Sequence, residues 1–154
     1  ETLMNVHVRQ STQEDIDYLC NNLRPEDREE VIASHGSTKE ALQLGFDISE
    51  ECVTFIVTET NEIAGIYGVA KQCDTVGNIW LLSTPAIKKV SLPFLKQSKK
   101  VTKELNKKYK ILTNAVDAEY TTSIRWLKFL GFTFIKKHDQ WGVGNKPFLE
   151  FVRI

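Results

Sequence analysis

The stretch LTNAVDAEYTTSIRWLKFLGFTF, residues 112–134, switches its hydrophobic period twice. Its first residues, with Ile111 before them, form a short apolar run that reads as a buried strand over 111–116. Asp117, Ala118 and Glu119 follow as a polar turn. Tyr120, Ile124, Leu127 and Leu130 then recur at helical spacing, with Thr121, Arg125 and Lys128 on the other side. That pattern predicts an amphipathic helix over 121–130. Gly131 is placed to end it, and 132–136 returns to strand. Strand, turn, helix and strand in that order make a β-α-β unit. The hydroxyls of Thr121, Thr122 and Ser123 open its helix at one end of the sheet.

Outward from that unit the segments alternate in kind. After it, 148–152 reads as the last strand. His138-Asp139-Gln140-Trp141-Gly142-Val143-Gly144-Asn145 reads as the connecting loop, too polar and glycine-rich for a core. Before it, 93–108 carries Phe94, Leu95, Val101 and Leu105 as one apolar stripe, with Ser98 and Thr102 at its edge. Lys96, Lys99, Lys100, Lys103 and Lys107 gather opposite, as a solvated face or a rim that attracts phosphate. Three β-branched and aromatic runs precede that helix, at 52–58, 63–71 and 78–83. Their connections are short enough for antiparallel neighbours. Gly65 and Gly68 point to a bulge or to close packing against a helix. The N-terminal third reads as one strand, 6–9, then two or three helices. Ser11 and Glu14 make a capping-box pattern, Pro25 restarts a helix, Gly36 ends it, and Ser37 with Glu40 makes a second box.

The chain has 154 residues and ordinary apolar content, so a core forms without staples or metals. With 20 basic and 20 acidic residues the net charge is zero, which speaks against a general nucleic-acid binder. Basic charge is local, between Lys88 and Lys110. Cys20, Cys52 and Cys73 are odd in number and widely spaced, and no histidine pair has ligand spacing. Neither a disulfide frame nor a metal site is expected. No apolar run approaches the roughly 20 residues that span a bilayer, and no signal peptide is visible. Met4 is the sole methionine and the expected natural start. Residues 1–3 read as an added remnant, leaving 4–154 as a single domain.

The order of elements is β, helices, a three-strand meander, then α-β-α-β-β, with a helix ending in Leu130-Gly131-Phe132 that feeds a strand. This resembles the GNAT (Gcn5-related N-acetyltransferase) superfamily over nearly the whole chain. Gly65 in the third strand and WLKFLGF, residues 126–132, add to the resemblance. It implies an α+β fold in three α/β/α layers. The central sheet is mixed, mostly antiparallel and flanked by helices, in the order β-α-α-β-β-β-α-β-α-β-β. A narrower resemblance rests on SIRWLK, residues 123–128, followed by Leu130-Gly131. Trp80 opening the fourth strand, Ser83-Thr84 closing it and Asn114 before the last helix belong to the same pattern. Together they are similar to GNAT-like proteins of short-tailed bacteriophages, of the internal-virion or assembly type. That implies a phage-encoded protein of the host cytoplasm, associated with the virion.

The GNAT resemblance also implies where the chemistry belongs. The fourth and fifth strands splay, and acetyl-CoA lies in the V. Its pantetheine pairs with the fourth strand's backbone, and its pyrophosphate sits on amides at the start of the next helix. The residues implied are Leu82, Ser83, Thr84, Lys88, Lys89 and Ser91, with Asn114 and Arg125 across the V. The loop 84–91 lacks the family's Gln/Arg-x-x-Gly-x-Gly/Ala pattern and has no glycine. Pro85 and Pro93 remove two donors, so Lys88 and Lys89 would replace amide hydrogen bonds with charge. The family's Asn and Tyr near the last helix fall on Tyr120 and Leu127, and Leu127 cannot donate a proton. Asp117 and Glu119 are candidate general bases, Tyr120 a displaced acid, and His138 a further base beside a rim at Trp141. Two functions stay open. One is an acetyl-CoA-dependent N-acyltransferase acting on a small amine, a protein lysine or an N-terminus. The other is a non-catalytic phage structural, assembly or host-factor-binding protein that keeps the fold. Neither requires specific nucleic acid or a membrane, and a homodimer is compatible with both.

Overall fold

The computed structural model describes residues 4–154. β1 (Val6–Gln10) is followed by α1 (Gln13–Asn22), α2 (Pro25–His35) and α3 (Thr38–Ile48). A meander of β2 (Ser49–Val57), β3 (Ile63–Cys73) and β4 (Val76–Ser83) comes next. A 3-10 turn, Pro85–Lys89, leads into α4 (Ser91–Lys108). Then come β5 (Ile111–Asp117), α5 (Thr121–Phe129), β6 (Thr133–Trp141) and β7 (Lys146–Arg153). The N-terminal third thus holds three helices, one more than the expected string of elements.

The strands form one sheet in the order β1-β2-β3-β4-β5-β7-β6. All neighbours are antiparallel except β4 and β5. Strand alternation sends successive side chains to opposite faces, and each face has its own helical layer. On one face α1, α2 and α3 bury Ile16, Leu19, Val31 and Leu42 against Ile66 and Leu82. On the other, Phe94 and Leu105 of α4 meet Phe55, Tyr67, Val69 and Leu112, with α5 alongside. This is the three-layer α/β/α arrangement with a mostly antiparallel sheet. Ser98 and Thr102 lie inside the buried face of α4, not at its edge. Thr102 is placed there by hydrogen bonds to the Tyr67 hydroxyl (3.0 Å) and the Ser98 carbonyl. Among the described residues no helix is long and apolar enough to cross a membrane, and no cluster of side chains could hold a metal.

Two local details differ from expectation. The first capping box sits one residue later, on Thr12 and Asp15, whose side chains and amides bond reciprocally. Asp15 is the buried member because Arg9 and Thr54 also bond it, while the Ser11 hydroxyl meets Thr54 instead. Second, 138–145 is not a loop. β6 and β7 run on to a tight turn over 142–145, so His138 and Trp141 belong to β6. Polar residues there mark an edge strand facing solvent. The turn rests on α2. The Gly144 amide donates to the Ala33 carbonyl at 2.8 Å. A Cβ on Gly142, whose φ is +65°, would stand 2.6 Å from the Ser34 Cα. Only glycine permits that backbone and that approach together.

Candidate active site

β4 and β5 pair over three residues alone: Val76, Gly77 and Asn78 with Ile111, Leu112 and Thr113. Beyond that apex the strands diverge, β4 running on to Ser83 and β5 to Asp117. Unpaired backbone along such a split must find other partners or water. At the apex, the Asn114 side-chain Nδ2 donates to the Ile79 carbonyl at 2.5 Å and its Oδ1 accepts from the Ala115 amide at 2.8 Å. It extends the ladder by one step.

At the mouth, α2 lies across both strands. Arg24, Asp27 and Glu30 recur every three residues, which puts them on one side of the helix start. Asp27 Oδ2 accepts from the Ser83 amide (2.7 Å) and hydroxyl (2.8 Å), and the Arg24 amide donates to the Ser83 carbonyl. Glu30 Oε2 accepts from the Asp117 amide at 3.2 Å. The Tyr120 hydroxyl completes the closure, donating to Asp27 Oδ1 at 2.8 Å and accepting from the Arg24 guanidinium. Arg24, Asp27 and Tyr120 are all buried. Between apex and mouth, strand alternation turns both backbone groups of Leu81 toward the gap, in step with Ile79 and Ser83.

The split opens into a cavity of about 590 Å³ that passes between the helical layers. On the α5 side Ser123, Trp126 and Leu127 line it; on the α3 side Leu44, Ile48, Trp80 and Trp141 do. Its titratable side chains among the described residues are Glu30 and His35. Burial pushes the Glu30 carboxyl up to about 8, and the nearby Asp27 and Asp117 act in the same direction, against the Asp117 amide and Arg24. A carboxyl that titrates near neutrality in a cavity wall is suited to accept a proton from a bound group. Burial and the adjacent Asp27 push the Tyr120 hydroxyl far above its usual range. It is a cross-piece between Arg24 and Asp27 more than a free acid. Trp80 forms a rigid wall. Its ring lies against Gly68, where a Cβ would come within 2.3 Å of it, and its Nε1 donates to the Ser49 hydroxyl at 2.9 Å. Gly68 therefore makes room for a neighbouring indole, not for a helix, while beside Gly65 the β2–β3 register slips as at a bulge.

A seven-stranded sheet split between its parallel fourth and fifth strands, with helices on both faces, has a known counterpart. This is the GNAT fold. A GNAT-family acetyltransferase from Bacillus anthracis superposes with a TM-score of 0.73 at 11% identity, covering 99% of this chain and 96% of that one. Ard1 from Thermoplasma volcanium gives 0.73 at 13%, covering 97% of each chain. A GNAT-family acetyltransferase from Elizabethkingia anophelis, solved with acetyl-CoA bound, gives 0.65 at 15%, covering 96% and 97%. At these identities the likeness is one of fold. No family model and no curated protein sequence matches the chain. The narrower phage resemblance finds no support in these structures.

A second depression at the mouth brings together several residues singled out in the sequence: Lys88, Ser91, Asp117, Glu119 and Tyr120. Asp117 accepts from the Glu119 amide at 2.9 Å and pairs with Lys146 at 3.1 Å, a contact that holds the Lys146 ammonium above its usual range. Lys89 points elsewhere, to Glu62 on the β2–β3 connection. Leu82 packs beneath α1–α3 and lines the cavity. Ser83 is held by Asp27 as described. Thr84 is buried, accepting from the Ala86 amide and donating to the Ile63 carbonyl. Arg125 is exposed and lines neither depression. Leu127 lines the cavity wall. His138 pairs with Glu150 at 3.0 Å. Sequence reasoning missed Arg24, Asp27, Glu30 and Ser123. For the first three the one available signal was their three-residue recurrence around Pro25, which reads equally well as a solvated helix face.

Proposed function

We propose that the protein is an acetyl-CoA-dependent N-acyltransferase acting on a small primary amine. One observation carries this reading: the β4–β5 split opens onto a cavity whose wall bears the Glu30 carboxyl. Bound acetyl-CoA would supply the acetyl thioester. The two free backbone groups of Leu81 suit an amide-bearing arm laid along a strand edge. Lys88, Ser91 and the unpaired amides at the start of α4 suit phosphate. The preceding loop is wound into a 3-10 turn and has no glycine nest, so charge replaces part of what amides would do. Glu30 accepts the proton of the amine nitrogen as the C–N bond forms and the C–S bond breaks. Ser123, one helical turn before Leu127 on the same wall, donates a hydrogen bond to the departing thiolate, which takes its proton from solvent as Glu30 releases one to solvent.

Calorimetric titration with acetyl-CoA tests the reading, and the absence of binding at millimolar ligand overturns it. Glu30→Gln keeps an oxygen for the Asp117 amide but removes the base. It should lower kcat by about 10²–10⁴-fold with acetyl-CoA affinity unchanged.

A second reading, a non-catalytic protein that keeps the fold for assembly or host-factor binding, is favoured by Leu127 and by the locked Tyr120. Phage origin and a host-cytoplasm location are compatible with both readings and rest on sequence resemblance alone. Acetyl-CoA binding with no transfer to any amine would favour it.

A further inference from the structure

On the transferase reading, we infer that the acceptor is an arylalkyl primary amine whose ring lies against Trp80 and whose nitrogen reaches Glu30. The α3 side of the cavity is apolar. Leu44 and Ile48 stand half-exposed at its rim, and Trp80 and Trp141 form its walls. The Trp80 indole is preorganised, held flat by Gly68 and anchored through Nε1 to Ser49. Trp141 is likewise fixed, stacked on Phe148 with centroids 6.0 Å apart. Rigid aromatic walls lose little freedom when they bind a ring, and offset or tilted aromatic pairs add to the area they bury. Among the described residues Glu30 is the one carboxyl of the cavity, and His35 its other titratable group. One ammonium therefore finds one acid. The second cation of a diamine or polyamine would sit among Leu44, Ile48 and the indoles with no counter-charge, which buried charges do not tolerate. A lysine side chain in a protein would have to bring polar backbone to the same apolar rim.

All three tryptophans of the chain line this cavity, so intrinsic fluorescence reports on it without acetyl-CoA. 2-Phenylethylamine should quench that fluorescence saturably and be acetylated with a kcat/KM at least tenfold above that for spermidine or a lysine peptide. Leu44→Glu, at an exposed position, should shift preference toward putrescine by about tenfold, since it places a second acid at the rim. Trp80→Ala should weaken 2-phenylethylamine binding at least tenfold while acetyl-CoA binding holds. Stronger binding and transfer to spermidine or the peptide would overturn the acceptor class and leave the transferase reading intact. So would acetyl-CoA binding with no response to 2-phenylethylamine. Saturable binding of 2-phenylethylamine by a protein that does not bind acetyl-CoA would support the amine site and overturn the transferase reading instead.

Discussion

Glu30 is held between two influences: burial and two neighbouring acids favour its neutral form, while the Asp117 amide and Arg24 favour its charged form. Burial prevails, and the carboxyl keeps its proton up to about 8. As a base it must lose that proton, so kcat/KM should rise about tenfold per pH unit below that value and level off above it. A flat profile would remove Glu30 from the reaction. Stability follows the same group with the opposite sign. Between the ordinary value of 4.5 and about 8 the folded chain binds more protons than the unfolded one, so stability falls as pH rises across that window. Thermal melts on either side of the window should show Glu30→Gln gaining on the wild type at the alkaline end. Asp27 accepts from two groups of Ser83 and from Tyr120, with the Arg24 guanidinium beside it. Asp27→Ala leaves a buried guanidinium without its acid and should lower the unfolding free energy by about 3–5 kcal/mol in urea titrations. Tyr120→Phe should cost about 1–3 kcal/mol. The two lysines of the β4–α4 connection should separate as well. Lys88 faces the mouth and Lys89 is paired with Glu62. Lys88→Ala should weaken acetyl-CoA binding several-fold, and Lys89→Ala should leave it nearly unchanged by calorimetry.

At the level of elements, α2 acts as a brace. Its N-terminal turns tie β4 to β5 across the mouth, and its C-terminal half supports the β6–β7 turn. The cavity wall at Trp141 therefore depends on a helix far from it in sequence. Gly142→Ala would set a Cβ against Ser34 backbone on one side and strain a φ of +65° on the other. Neither relaxes by rotating a side chain, so the turn should lift from α2 at a cost of about 1–3 kcal/mol. Hydrogen exchange should report faster opening of the turn and of the end of α2, with the apex at Asn114 still protected. Loss of protection at Asn114 as well would mean that the brace and the split form one cooperative unit.

For the whole molecule, a sheet split in its middle gives up ladder bonds that other sheets keep. Asn114, Asp27 and Glu30 recover some of them with side chains, and the backbone of Leu81 is left facing the gap. A strand-like arm laid in the gap would restore pairing and stabilise the fold by mass action. Acetyl-CoA at a hundredfold its Kd should add about 2.7 kcal/mol of stability, visible as a raised melting temperature. Net charge is zero, so this binding should depend on local cations and weaken only modestly with salt. A steep salt dependence would indicate phosphate held by many lysines, as along the outer face of α4.

Hydrophobic period and turn chemistry act over a few residues, which is why the order of strands and helices was legible in the chain. The two switches of period within 112–134 mark β5, α5 and β6 without reference to anything distant. Counting back from Gly131 along one helix put Leu127 at the position where the family resemblance implied a tyrosine, and that position lines the cavity. Where distant residues decide, local reading fell short. The first cap moved to Thr12 because Asp15 is held by Arg9 and by Thr54, 39 residues on. Residues 138–145 resembled a loop because an edge strand needs no apolar alternation. Glu30 carried no mark at all. In sequence it is one more acid on a polar helix start. It becomes a half-buried carboxyl of raised proton affinity only because α2 crosses two strands, bonding Ser83 at 56 residues' separation and Asp117 at 87. Secondary structure is written in neighbours along the chain, whereas the proton affinity of a carboxyl depends on desolvation and on charges that folding brings together.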